Sequence, residues 1–262
     1  MRRSLAHGLT ALSLAALIGC ADAAATIEEV GECSDAFGAD VCTWAMVEAN
    51  TVVAVGATVP MASIENAPAD APFTWPPTMT AAPNLPASAT EQSGFTHMTM
   101  LWEAMGHTPV TYLTPHFDFH FYLVPPSERM AIDCDDLTKP STLPEGYSMP
   151  DEQLPPELVA VTGVEILIGV CVPEMGMHAL VTVEMQSEEL FGGTMVVGYY
   201  KGEPIFIEPM ISKAMLQERQ SFELSIPEIP GLEGRQPSTF RADYDADQDA
   251  YRFTFSDFAA GS

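Results

Sequence analysis

Basic residues are scarce in this chain: 10 lysines and arginines stand against 36 aspartates and glutamates, a formal charge of −26. Phosphate backbones and anionic membrane surfaces need clustered cations, so nucleic acid and charged lipid are excluded as partners. Long apolar runs are also missing. The one candidate covers residues 9 to 18, too short to span a bilayer. No Cys-x-x-Cys pair, serine nucleophile elbow, Walker loop, dinucleotide fingerprint or His-Glu-x-x-His is present, which removes the usual signatures of hydrolases, nucleotide enzymes and zincins. No acidic run is long enough to read as a disordered tail. With 47% hydrophobic residues, the negative charge reads as solvation spread over a folded surface.

What is there begins with an export signal. Arg2 and Arg3 precede the short apolar run, the order of a secretory leader. The run closes in Leu17-Ile18-Gly19-Cys20, which resembles a bacterial lipobox. On that reading residues 1–19 are removed and Cys20 carries the lipid, anchoring the chain to a membrane without a transmembrane helix. The alternative is ordinary cleavage after Ala-Asp-Ala near residues 21 to 24, with Cys20 lost. Loss of the two positive charges of Arg2 and Arg3 takes the formal charge from −26 to −28. Either route predicts the periplasm or cell envelope.

Four cysteines follow Cys20. An even count in an exported chain predicts two disulfides with three conceivable pairings. Cys33–Cys42 closes a short loop and is favoured together with Cys134–Cys171. Thiolate metal ligands are the weaker alternative in an oxidising compartment.

The segments predict an α+β, β-rich fold, an antiparallel sheet with a few short helices on one side, or alternatively a partly closed β-barrel. Residues 20–41 form an N-terminal segment, and 42–258 form one β-rich domain with a proline-rich connector at 66–91. Residues 42–60 read as a hairpin turning at Asn50-Thr51. Residues 193–210 read as a second, turning at Lys201-Gly202-Glu203, and 238–258 as a third. "LVAVTGVEILIGVCV" at 158–172 is β-branched and apolar, and predicts a buried strand.

The chemistry is concentrated in "PHFDFHFYLVPP" at 115–126. Strand alternation places His116, Asp118, His120 and Tyr122 on one face and the phenylalanines on the other. The apolar face can pack on a core, whereas three consecutive ligand types on the second face point to a metal ion. Neighbouring positions lie about 7 Å apart, within reach of one ion, but His116 and His120 are about 13 Å apart. The strand must bend to bring both to one ion, or one histidine must serve while Asp118 orients a ring. Completion from elsewhere is therefore needed. His178, in "PEMGMHAL" after Gly176, is the leading further ligand, and Glu208 in "IFIEPM" the best added carboxylate. His107 and Tyr122 are additional candidates, while His97 reads as an ordinary surface or half-buried residue. The 15 methionines are scattered without a Met-x-x-Met cluster, and are assigned to core packing rather than copper.

Taken together, "FTHMTMLWEAMGHTP", "PHFDFHFYLVPPSERMAI", "VPEMGMHAL" and "GYYKGEPIFIEPMISKAMLQ" resemble a family of bacterial exported proteins of unassigned function. Its hallmarks are an HFDFHFY strand, an MGxH segment and a strand ending in EPM. The resemblance spans residues 42 to 258 and places His116, Asp118, His120, His178 and Glu208 at hallmark positions. Ala179 stands where such proteins commonly carry Trp, which implies a more open pocket wall. The resemblance implies no reaction.

Mixed nitrogen and oxygen ligands suit Zn, Fe, Mn or Ni better than Ca or Mg. The expected function is a membrane-anchored metal-binding protein with room for a small-molecule ligand, enzymatic or not. Two alternatives stand beside it. One is a non-catalytic envelope binding or assembly module whose histidines are structural. The other is a non-haem metal oxygenase or cupin-like enzyme, to which His-x-Asp with a distant His is only a partial match.

Overall fold

The computed structural model describes residues 25–234 and 236–258. The expected export signal and the lipidation expected at Cys20 lie outside the described residues. In chain order the strands are β1 (Thr26–Ala36), β2 (Ala39–Glu48), β3 (Thr51–Pro60), β4 (His97–Glu103), β5 (His116–Tyr122), β6 (Tyr147–Ser148), β7 (Glu152–Gln153), β8 (Ile166–Leu167), β9 (Met177–Val181), β10 (Gly193–Tyr200), β11 (Glu203–Ser212), β12 (Phe222–Leu224), β13 (Pro237–Asp245) and β14 (Ala250–Phe258). Two six-stranded sheets result, ordered β1-β2-β3-β14-β13-β12 and β4-β5-β11-β10-β9-β6, with β7 and β8 as a separate pair. All pairings are antiparallel. The β-rich antiparallel class with short helices is thus the one expected, and no closed barrel forms among the described residues.

Phenylalanines bind the two sheets together. Phe119 of β5 meets Phe253 of β14 edge-on with ring centroids 4.8 Å apart, and Phe121 meets Phe255 at 4.9 Å. Phe117, Phe119 and Phe121 are fully buried in this inter-sheet core. Because the apolar face of β5 is committed to the core, its alternate residues must point to the far side of the second sheet.

Register extends that far face across the second sheet. Thr99 lies opposite His120 and Glu103 opposite His116, while Met210 lies opposite Asp118 and Phe206 opposite Tyr122. Directly opposed residues share a face, so His97, Thr99, Leu101, Glu103, His116, Asp118, His120, Tyr122 and Glu208 all look the same way. The next pairings add His178, opposite Gly198 of β10.

This face is roofed rather than solvated. The proline-rich connector returns along β4 through bridges of Ala81 to Met100 and Asn84 to His97. Residues 125–176 cover the remainder, tied down by Cys134–Cys171, while Cys33–Cys42 crosses β1 and β2. Both disulfides match the favoured pairing and fit an oxidising compartment. No helix among the described residues is long and apolar enough to cross a membrane.

One expected strand does not form. Residues 158–172 contain the end of a helix, Pro156–Thr162, followed by the two-residue β8 and a 3₁₀ turn. Pro156 at the first helical position and Gly163 in the left-handed conformation just after the end are start and stop signals. The helix buries none of its residues fully. Its Leu158 lines a cavity instead of filling a sheet.

Candidate metal centre

Histidine and carboxylate side chains on the covered face fall into two groups, not one. His107, His116 and Asp118 form the first, and His120, His178 and Glu208 the second, each with ligand atoms within 4.8 Å of one another. The expected single set of His116, Asp118, His120 and His178 is therefore divided. The rise along β5 is the reason: His116 and His120 stay two side-chain steps apart on an unbent strand, so each recruits partners from its own end. His107 and Glu208, expected as additional residues, are full members. Tyr122 joins neither group.

Turns deliver the distant ligands. Gly106 has a φ of 66°, and a Cβ there would collide with the backbone of Tyr112 and Thr114. This tight turn tucks His107 over His116, ring centroids 4.9 Å apart. Gly176, with a φ of 106°, lets the backbone approach the Tyr199 carbonyl, where a Cβ would sit 2.8 Å from its oxygen. His178 is thereby aimed at His120, with ring centroids 6.0 Å apart. Gly198 leaves the space that the Phe206 ring fills, and that ring packs at 4.7 Å from His120 and 5.2 Å from His178.

Hydrogen bonds fix which imidazole nitrogen is free. The Nδ1–H groups of His107, His116 and His178 donate to the carbonyls of Thr108, Thr114 and Val170 at 2.8, 2.7 and 2.9 Å. A carbonyl can only accept, so Nδ1 carries the proton and Nε2 presents a lone pair. Three rings are thus held in the tautomer that ligates through Nε2, with the backbone support typical of metal-binding histidines.

Two of the imidazole Nε2 atoms on this face lie beside carboxylates. His116 Nε2 lies 3.3 Å from Asp118 Oδ1, and His120 Nε2 lies 3.5 Å from Glu208 Oε2. All four atoms are buried without a hydrogen-bond partner among the described residues. A charge-assisted hydrogen bond would close to about 2.7–2.9 Å. Ligands about 2.0–2.2 Å from a tetrahedral ion instead lie roughly 3.3–3.6 Å from each other. The observed spacing matches the second case.

Electrostatics agree. Burial pushes the pKa of His116 and His178 down to about 4, and lowers His107 and His120 as well. Burial also raises the acids, Asp118 to about 6 and Glu103 to about 8; repulsion by Asp118 adds to Glu103. Glu208 is driven well above the carboxylate range by burial, then by Asp118 and Glu103. Three acids and four neutral imidazoles thus converge, with Arg129 the buried cation whose charge reaches His120. A dication would offset the penalty on the acids and would favour the imidazoles in the neutral form that burial already imposes.

Two residues have other roles on this face. His97 is buried rather than exposed or half-buried as expected. Its ring stacks on Tyr122 at 4.7 Å and its Nδ1 meets the Thr96 hydroxyl at 2.8 Å. Arg129 is also buried, donates to the Glu174 carbonyl at 2.9 Å, and lies over the Tyr122 ring. It closes the stripe beyond His120. Nothing in its sequence context, a short helix after Pro125-Pro126, signals that burial.

Both groups border one cavity of about 110 Å³, lined by His107 and Asp118 from the first and by His120, His178 and Glu208 from the second. Comparison with known protein families, curated proteins and solved structures finds no match for this chain.

Proposed function

We propose that this is an exported metal-binding protein holding transition-metal ions at His107/His116/Asp118 and at His120/His178/Glu208, with zinc as the leading metal. The observation that carries the reading is the pair of orphaned Nε2 and carboxylate atoms at tetrahedral ligand spacing. Two histidines and one carboxylate leave a fourth position open, as catalytic zinc sites do and structural sites do not. Fe, Mn and Ni accept the same donors. A purely structural histidine cluster accounts less well for the face, because buried polar atoms are ordinarily hydrogen-bonded, and here a nitrogen and a carboxylate oxygen in each group have no partner among the described residues. Elemental analysis of the untagged mature chain tests this. Between one and two equivalents of a transition metal are expected after supplementation, and less than about a tenth of an equivalent rejects it.

Two disulfides and the leader sequence support the cell envelope as the working compartment, and the resemblance to exported bacterial proteins points the same way. The Leu-Ile-Gly-Cys segment supports a lipid on Cys20. Cys20→Ser should move the protein from the membrane fraction to the soluble fraction. Unchanged fractionation rejects the anchor.

A further inference from the structure

We infer that the cavity over the His120/His178/Glu208 group binds a small molecule with one oxygen donor at its head and an apolar body of about five or six non-hydrogen atoms. The inference rests on that group being an ion site, and it adds what the open coordination position is for.

All three members of the group line the cavity, whereas His116 of the other group does not. An open position on this ion therefore faces the chamber. The walls around it are apolar, with Leu101, Leu180 and Met210 on the sheet side and Leu154, Leu158 and Val172 on the cover. A hydrated ion does not need such a lining. An oxygen donor on the ion with carbon packed against the walls uses both features.

Size sets the body. At about 110 Å³ the chamber is somewhat smaller than the roughly 150 Å³ apolar cavity that takes up benzene. An outer groove of about 530 Å³ shares Phe73, Pro77 and Glu103 with the chamber, so the two adjoin at these residues. The cover is light: the Pro156–Thr162 helix that contributes Leu158 has no fully buried residue.

The test uses the full mature chain loaded with Co²⁺, whose visible absorption reports a change of ligand. Straight-chain 1-alkanols and alkanoates of two to six carbons are titrated in parallel, which separates a neutral from an anionic head. In at least one series the spectrum should shift, and affinity should rise about fourfold per added methylene until the chamber fills near five or six carbons. Leu158→Trp, which occupies the chamber, should weaken the six-carbon ligand at least tenfold while Co²⁺ stoichiometry stays at the parent's value. If Co²⁺ binds in a His120-dependent way but neither series shifts the spectrum, the inference fails and the ion site stands. The inference fails equally if affinity ignores chain length or Leu158→Trp changes nothing. If no Co²⁺ binds, both fail together.

Discussion

His120→Ala is expected to empty one ion site and leave its neighbour filled, so that metal content falls by about one equivalent rather than to zero. The mirror result is expected for His116→Ala. The two histidines share a strand, yet each belongs to a separate trio of ligand atoms. Loss of a hydrogen-bonding support behind a ligand typically weakens a site 10- to 100-fold, so loss of a direct ligand should weaken it by more than about 100-fold. Double-alanine replacement should abolish binding. Stoichiometry by elemental analysis and affinity by calorimetry read the result. A single ion shared by His116, Asp118, His120 and His178 predicts something different: either substitution alone would then strip all the metal.

That distinction marks how far local sequence carries. Alternation in His116–Tyr122 is enough to assign a packing face and a ligand face, and the Phe119 and Phe121 contacts with β14 follow from it. Spacing along the strand also separates His116 from His120 by too much for one ion to serve both without a bend. Which residues complete each end depends on strand order and register, because Glu208 comes opposite this part of β5 only through the β5–β11 pairing. Long-range pairing of that kind leaves no local signal. His107 is a weak candidate in the sequence because its placement depends on the fold of the turn at Gly106 rather than on strand alternation.

Residues 158–172 depart from expectation for a different reason. Their composition is that of a buried strand, and the apolar side chains are indeed needed, but over a cavity instead of inside a sheet. Pro155-Pro156 and Gly163 carry the correct local signal, helix start and stop. Punctuation, not composition, decides the secondary structure here. Arg129 shows the converse: a charged residue near a proline turn reads as solvated, and only the roof above Tyr122 makes it buried.

A site built for an ion should also weaken the ion-free fold, and Glu208 is where the effect should be largest. The residue is 2% exposed, and its Oε2 has no hydrogen-bond partner among the described residues. Burial and two neighbouring acids raise its pKa well above the ordinary 4.5. The native state thus holds a proton that the unfolded chain releases above pH 4.5. Its contribution to stability is greatest below that pH and is lost as pH rises through the raised pKa. Asp118 and Glu103, raised to about 6 and about 8, act in the same direction. Glu208→Gln removes the charge and places an amide donor within reach of His120 Nε2. Chelator-treated protein should therefore gain about 1–3 kcal/mol near pH 8, roughly 3–10 °C in Tm for a chain of this size. The fall of stability with pH should become shallower by about 1.4 kcal/mol per pH unit within the window. The same substitution should abolish the rise in Tm that metal gives at this site. A lower Tm for the ion-free variant would falsify this account, because it would make Glu208 a structural partner of His120 rather than a ligand held ready for a cation.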